Sequence, residues 1–120
     1  MNDFVLHRLT VAQLGELVQS RQVSPVEIAE AFIDRATKLQ PTLNAFITTT
    51  YDQALAKASL AEAEIMKGDY RGPLHGIPIG LKDLFWTKNV RTTSGSAVTA
   101  DFLPTEDATV VAKLQNDCLL

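Results

Sequence analysis

The residues best suited to chemistry in this sequence are Lys82 and Asp83, which directly follow the apolar run 77–81. A short apolar run marked by Gly and Pro is typical of a buried strand, so it predicts a lysine carried toward the protein interior. Most lysines keep their ammonium group in water. Burial disfavours the charged form and lowers the lysine pKa from its usual value of about 10.4. The pair therefore suggests a general base, and the alternative is a strand end with two solvated charges.

The two side chains are predicted to have different roles. A neutral Lys82 amine can accept a proton from a serine, as in the Ser–Lys variants of hydrolytic triads. Alternation along a strand places Asp83 on the opposite face from Lys82. A carboxylate next to the amine would favour the charged form, so Asp83 is interpreted as a structural residue that binds loop amides. Gly80 is expected to permit close approach of another backbone segment.

Other site types fit the sequence less well. Gly76 and Gly80 are separated by three residues rather than four, and Lys82 is not followed by Ser or Thr, so the phosphate-loop pattern is absent. His75 precedes a Gly-Ile-Pro turn and is interpreted as a surface or packing residue. Cys118 is the single cysteine and the two histidines are far apart, so no metal site is predicted.

Two capping patterns predict the helices that open the chain. Thr10 is expected to cap a helix that ends near Arg21, and Ser24 one that ends at Pro41. A third helix, rich in Ala, Leu, Glu and Lys, is predicted over residues 52–67.

Downstream elements are predicted from composition and turn residues. Gly68 suits the left-handed position after the third helix. The β-branched and aromatic run 45–50 predicts a strand, as does the run 77–81. Residues 85–103 are expected to be mostly loop, and Asp107 to cap a last helix. Three aromatic residues are expected to pack in the core: Phe85, Trp86 and Phe102.

Overall composition limits the function classes. The 120 residues suit one small domain, with 46% hydrophobic and 21% charged residues. The net charge of −3 and the scattered basic residues argue against a direct nucleic-acid surface. The sequence shows neither a secretory signal nor a run of about eighteen apolar residues, so no membrane association is predicted. A single cysteine fits a reducing compartment, and a cytoplasmic protein is expected.

Three segments, GPLHGIPIGLKD, RTTSGS and DATVVAKL, resemble the amidase signature family of amide hydrolases in sequence and order. Two weaker segments upstream, LT-x-x-QL and VSP-x-E-I-A-E-A-F, also look like its N-terminal helices. The resemblance extends from about Leu9 to Leu114. It implies an α/β fold in which helices cover a mixed central sheet.

The resemblance also implies hydrolysis of a small-molecule amide through an acyl-serine intermediate and a Ser–Ser–Lys triad. The catalytic lysine maps onto Lys82. The two serines belong to a Gly/Ser-rich segment that lies downstream in the family and is not found in this sequence. Ser94 and Ser96 are interpreted as turn hydroxyls. No cofactor is implied.

Residues 1–120 are therefore interpreted as the N-terminal portion of an amidase signature domain, expected to be inactive without the two serines. The alternative within the family is the A subunit of the tRNA-dependent glutamyl/aspartyl amidotransferase, which would act with partner subunits. A homodimer is also open. An alternative of another class is a non-catalytic helical interaction module, with the helices of residues 10–39 as its working surface.

Overall fold

Helices form the regular structure of residues 5–116, the part of the chain described by this computed structural model. A short 3₁₀ helix comes first, followed by four α-helices: Leu6–Arg8, then α1 (Val11–Gln19), α2 (Pro25–Leu43), α3 (Tyr51–Lys67) and α4 (Thr109–Gln115). No extended strand forms among these residues. An isolated antiparallel bridge joins Thr87 and Val90.

Reciprocal hydrogen bonds explain where α1 and α2 begin. Thr10 Oγ1 accepts from the Gln13 backbone N–H, and Gln13 Oε1 accepts from the Thr10 backbone N–H. Ser24 and Glu27 form the same pair, and Pro25 occupies the first helical position. These bonds satisfy backbone donors that have no partner inside the helix. Both predicted capping boxes are confirmed.

The two long helices end with left-handed residues. The prediction that α2 ends at Pro41 was wrong, because the helix continues to Leu43. Asn44 then adopts φ 46°, and its N–H bonds to the carbonyl of Gln40. A proline near a helix end disturbs little beyond its own missing hydrogen bond. Helix α3 ends before Gly68, which has φ 96° as predicted.

Neither predicted strand is present in the structure. Residues 45–50 are irregular, and Phe46 is held instead by the side-chain amide of Gln40, which binds both its N–H and its carbonyl. Residues 77–81 also form no strand, and Pro78 alone among them makes an isolated bridge. The β-branched, apolar pattern favours packing in a sheet, but a strand forms only when a second strand pairs with it. No paired neighbour of either run forms a strand within residues 5–116. The sheet implied by the α/β fold class is therefore not seen in this part of the chain.

The core lies where α1, α2 and α3 meet the turn at residues 73–76. Its main cluster consists of buried aliphatic side chains: Leu14, Val18, Val23, Ile28, Ile65 and Ile77. A second cluster of small side chains lets α2 and α3 approach closely: Ala29, Ala58 and Ala61. The turn packs tightly on both earlier helices. A Cβ on Gly15 would lie 2.7 Å from the Pro73 carbonyl oxygen, and one on Gly76 would lie 2.6 Å from Pro25 Cγ.

The loop before α4 is as predicted, but the residue that caps α4 is not. The loop of residues 85–103 is irregular, as predicted. Asp107, however, does not cap α4, because Ala108 occupies the cap position. The Asp107 carboxylate instead accepts from the Lys88 backbone N–H at 2.7 Å. This long-range bond ties the loop to the start of α4.

Candidate functional site

A buried histidine anchors the segment that leads to Lys82. His75 is 1% exposed, and its Nε2 lies 2.7 Å from Glu64 Oε2 on α3. Its Nδ1 accepts from the Arg71 backbone N–H at 3.1 Å, so Nε2 is assigned the hydrogen and donates to Glu64. The Arg71 guanidinium lies 3.2 Å from the same Glu64 oxygen. Both ring nitrogens are committed, which confirms the prediction of a packing residue rather than a base.

Beyond Ile77 the chain leaves the core. Ile77 is buried, but Ile79 is 40% exposed and Lys82 is exposed. The expectation that a buried strand carries Lys82 into the interior is therefore wrong for residues 5–116. The run 77–81 has no neighbouring strands in this range to shield it from solvent. Gly80 also differs from expectation, since a Cβ there would meet only the Phe46 ring, at an ordinary contact distance of 3.7 Å.

The lysine nevertheless occupies a defined place in the backbone. The Lys82 carbonyl accepts from the N–H groups of Leu84 at 2.7 Å and Phe85 at 3.1 Å, which closes a tight turn. The turn forms one wall of an open groove of about 1210 Å³. Apolar side chains of α2 also line this groove, Phe32 and Leu39 among them. An amine in this position has room for a ligand beside it.

Asp83 binds a loop that is distant in sequence. Its Oδ1 accepts from the Thr93 backbone N–H at 2.8 Å, and its Oδ2 accepts from the Thr93 hydroxyl. Its backbone carbonyl accepts from the Ser94 N–H at 2.8 Å. The hydrogen bond from the Thr93 side chain, followed by that from its backbone, holds the pKa of Asp83 below the usual range. The predicted structural role of Asp83 is confirmed.

The two serines of this loop are turn residues. Ser94 adopts φ 54° at an exposed turn. Ser96 Oγ accepts from the Val98 backbone N–H at 3.2 Å. These positions agree with the interpretation of both serines as turn hydroxyls. Sequence reasoning missed Thr93, which is buried and donates two hydrogen bonds to the Asp83 carboxylate. The only signal for it was a Thr-Thr pair before a Ser-Gly turn.

The aromatic residues pack differently from expectation. Trp86 and Phe102 meet edge to face, with ring centroids 5.2 Å apart. Trp86 is nevertheless 44% exposed, so this pair lies outside the buried core. Phe85 is exposed and lines the groove next to Lys82. The prediction that these rings fill the core was wrong, because Phe85 and Trp86 are exposed and Phe102 is only half-buried.

Neither a metal centre nor a membrane span is found among the described residues. Within residues 5–116, no group of three or more His, Cys, Asp or Glu side chains is placed to hold a metal ion. No helix in that range has the length and apolar character needed to cross a bilayer. Cys118 lies outside the described residues.

Comparison with protein families accounts for this arrangement. Residues 27–119 match the sequence model of the Amidase family, which is well over half of the chain. The chain belongs to the amidase signature family. The matched region includes the His75 anchor, the Lys82 turn and the Asp83 loop. Amide hydrolysis is therefore the reaction class of the family.

Named relatives come from two groups of proteins. The chain is 48% identical over 107 residues to the A subunit of the glutamyl-tRNA(Gln) amidotransferase of Azoarcus, covering 89% of this chain and 22% of that protein. It is 36% identical over 115 residues to AmiD of Mycobacterium tuberculosis, named as an amidase, covering 96% of this chain and 24% of that protein. The chain thus spans about a quarter of the length of the curated relatives it matches.

Solved structures extend the match to three dimensions. The peptide amidase from Stenotrophomonas maltophilia is 31% identical, with a TM-score of 0.87 over 95% of this chain and 24% of that one. Fatty acid amide hydrolase is 26% identical, with a TM-score of 0.89 over 98% of this chain and 21% of that one. The described residues therefore have the fold of the corresponding part of an α/β amidase signature enzyme, and no strand forms among residues 5–116 in this structure.

Proposed function

We propose that the natural protein containing this sequence hydrolyses a small-molecule carboxamide, with Lys82 as the general base of a Ser–Ser–Lys triad. The family match over residues 27–119 is the observation that carries this proposal. The position of Lys82 supports it, because a tightly turned backbone presents the amine to an open groove. No cofactor is required by this chemistry.

The proposed reaction needs a neutral amine and two hydroxyl groups. Lys82 accepts a proton from one serine, which in turn accepts the proton of the nucleophilic serine. The nucleophile attacks the amide carbon, and the amine or ammonia leaves with the returned proton. Water then hydrolyses the acyl-serine. Neither serine maps onto this sequence, and we propose that residues 1–120 form one portion of the catalytic domain.

The exposure of Lys82 sets a condition on this mechanism. An amine accepts a proton only in its neutral form. We expect further parts of the enzyme to cover the groove and remove water from around the amine, which would favour its neutral form. Because neither triad serine maps onto this sequence, we expect residues 1–120 alone to be inactive.

A glutaminase is the second candidate. Several amidotransferase A subunits are 44–48% identical to this chain, compared with 36% for AmiD. By this reading the enzyme releases ammonia from glutamine and acts with partner subunits. A homodimer is a third arrangement. The helical interaction module receives no support from the close match to enzymes, and it predicts a stable protein without hydrolytic activity.

The role of Lys82 is tested by substitution in the natural protein. Lys82→Ala should reduce the rate of ammonia release by about 10³-fold or more, because triad members act as a unit. Lys88→Ala is the matched control, since Lys88 is an exposed lysine in the same groove. Its rate should stay within about twofold of wild type, in the range of surface substitutions. A Lys82→Ala enzyme with near-wild-type turnover and unchanged circular dichroism would disprove the assignment.

The choice of substrate separates the two candidates. The purified enzyme is given glutamine, a C-terminally amidated peptide and an aryl amide in parallel. A preference for glutamine, with partner subunits that copurify, supports the glutaminase. A preference for the peptide or aryl amide without partners supports a free-standing amidase.

A further inference from the structure

We infer that Asp83 and Thr93 are positioning residues that hold the Lys82 amine in place for proton transfer. This inference rests on the proposed catalytic role of Lys82. It concerns groups that act through the backbone next to Lys82. Hydrogen bonding, burial and the direction of one pKa shift support it.

Three hydrogen bonds join Asp83 to the turn at residues 93–95 and a fourth lies within that turn, and we call this set of four the Asp83 clamp. Three of them end on Asp83: its two carboxylate oxygens accept from the backbone and hydroxyl of Thr93, and its carbonyl accepts from Ser94. The fourth is donated by the Gly95 backbone N–H to Thr93 Oγ1 at 3.1 Å. Because Thr93 Oγ1 accepts from Gly95, its own hydrogen is free to point at Asp83.

The clamp is anchored on a well-packed residue. Thr93 is 4% exposed, and its carbonyl accepts from the Thr99 hydroxyl at 2.5 Å and from the Ser96 N–H at 3.0 Å. Asp83 is therefore bound to a rigid support. The lowered pKa of Asp83 agrees with this, since the bonds from Thr93 favour the carboxylate form. Arg91 is the neighbouring charge that adds to the same effect.

Lys82 depends on this support because its side chain makes few contacts that would hold it in place. Within residues 5–116, the Lys82 amine makes no ion pair or hydrogen bond with another side chain. Its position is set by the backbone, which is held on one side by the Lys82 carbonyl turn and on the other by Asp83. A shift of about 1 Å in a reacting group can cost roughly a hundredfold in rate. Loosening the clamp should therefore slow proton transfer with little effect on substrate affinity.

The substitutions that test the clamp are made in the natural protein. Thr93→Val keeps the shape of the side chain but removes the hydroxyl that links Asp83 and Gly95. Asp83→Asn keeps the size but removes the charge, and Thr93→Ser restores the hydroxyl. Thr92→Val is the matched control, because Thr92 is 3% exposed and its hydroxyl donates to the Val90 carbonyl rather than to Asp83.

Two measurements are made on each variant. The first is the steady-state rate of amide hydrolysis, separated into kcat and KM. The second is the rate at which an amine-acylating reagent modifies Lys82, followed by mass spectrometry, which does not require catalysis. We expect Thr93→Val and Asp83→Asn to lower kcat by about 10- to 100-fold with little change in KM. The same variants should change Lys82 acylation at least about threefold, while Thr93→Ser and Thr92→Val stay near wild type.

The outcomes separate the two ideas. Unchanged Lys82 acylation in both clamp variants would overturn the inference. A lower kcat in those variants would then reflect their lower stability and not the position of Lys82. Equal effects of Thr92→Val and Thr93→Val would overturn it as well, since any buried threonine would then matter. If Lys82→Ala retains activity, the proposed function fails, and the acylation rates alone decide whether the clamp positions Lys82. If Thr93→Val does not fold, Asp83→Asn and Thr93→Ser provide the same comparison.

Discussion

At the scale of single residues, Asp83 shows how a carboxylate next to a candidate base can be kept from pairing with it. Its carboxylate is fully engaged by Thr93, ten positions along the chain, rather than by the adjacent Lys82. A free carboxylate beside the amine would favour the protonated lysine. By binding elsewhere, Asp83 orders the loop while leaving the amine unpaired within residues 5–116.

The lowered pKa of Asp83 makes a prediction about acid stability. The folded pKa lies below the ordinary value of 3.8, so the folded protein favours the carboxylate. The contribution of Asp83 to the free energy of unfolding is therefore complete above about pH 5, and it is lost as pH falls below 3.8 through the folded value. We expect the stability difference between wild type and Asp83→Asn to be constant near neutrality and to shrink in acid.

Denaturant unfolding of the natural protein at a series of pH values measures this difference. Asp101→Asn is the control, because Asp101 is exposed in the same loop. It should show a small difference at every pH. A stability difference for Asp83→Asn that grows on acidification would contradict the assigned direction of the pKa shift.

At the scale of elements, the turn at residues 73–76 links the helical core to the segment that carries Lys82. It packs on α1 through Gly15 and on the start of α2 through Gly76. His75 fastens the same turn to α3 through Glu64. Three helices thus determine where the chain leaves the core on its way to Lys82.

Gly76→Ala should therefore be costly. Gly76 has φ 82°, and the added Cβ would lie 2.6 Å from Pro25 Cγ in a rigid ring. We expect a loss of about 3 kcal/mol in unfolding free energy, of which roughly 1–2 kcal/mol is backbone strain and the rest is steric overlap. Gly68→Ala is the matched control, since Gly68 has φ 96° but no atom within 4 Å of the new Cβ. It should lose only the strain component. Equal losses, measured by denaturant unfolding, would show that the contact with Pro25 is unimportant.

At the scale of the whole molecule, the surface is larger than a self-contained protein of this mass would have. The accessible area is 7816 Å² for 13.1 kDa, whereas a folded monomer of this size exposes about 6,400 Å². Exposed apolar side chains lie along the groove, at Leu43, Phe46, Ile47 and Phe85. Apolar patches of this kind promote association.

We expect the 120-residue chain, produced alone, to associate or to remain molten, with a helical signal but no sharp unfolding transition. The cause is the set of uncovered apolar side chains along the groove. Light scattering after size exclusion, together with thermal unfolding followed by circular dichroism, measures both properties. A monodisperse monomer with a cooperative transition would favour the helical interaction module.

The sequence by itself determined the features that depend on near neighbours along the chain. The capping boxes at Thr10 and Ser24 and the left-handed Gly68 could be predicted, because each involves groups within a few positions. The family resemblance could also be recognised from the sequence, since it depends on sequence segments and on their order along the chain. The structural role of Asp83 followed from strand alternation, although the strand itself did not form.

Tertiary structure alone decided the contacts made across long stretches of chain. The partner of Asp83 is ten residues away and that of His75 is eleven residues away, and no local rule specifies either. The runs 45–50 and 77–81 carried strand composition, but a strand requires a neighbour that sequence cannot place. The prediction that Lys82 is buried was wrong for the same reason. Whether an apolar run is covered depends on what packs against it, so local pattern indicates a preference and the assembled fold determines the result.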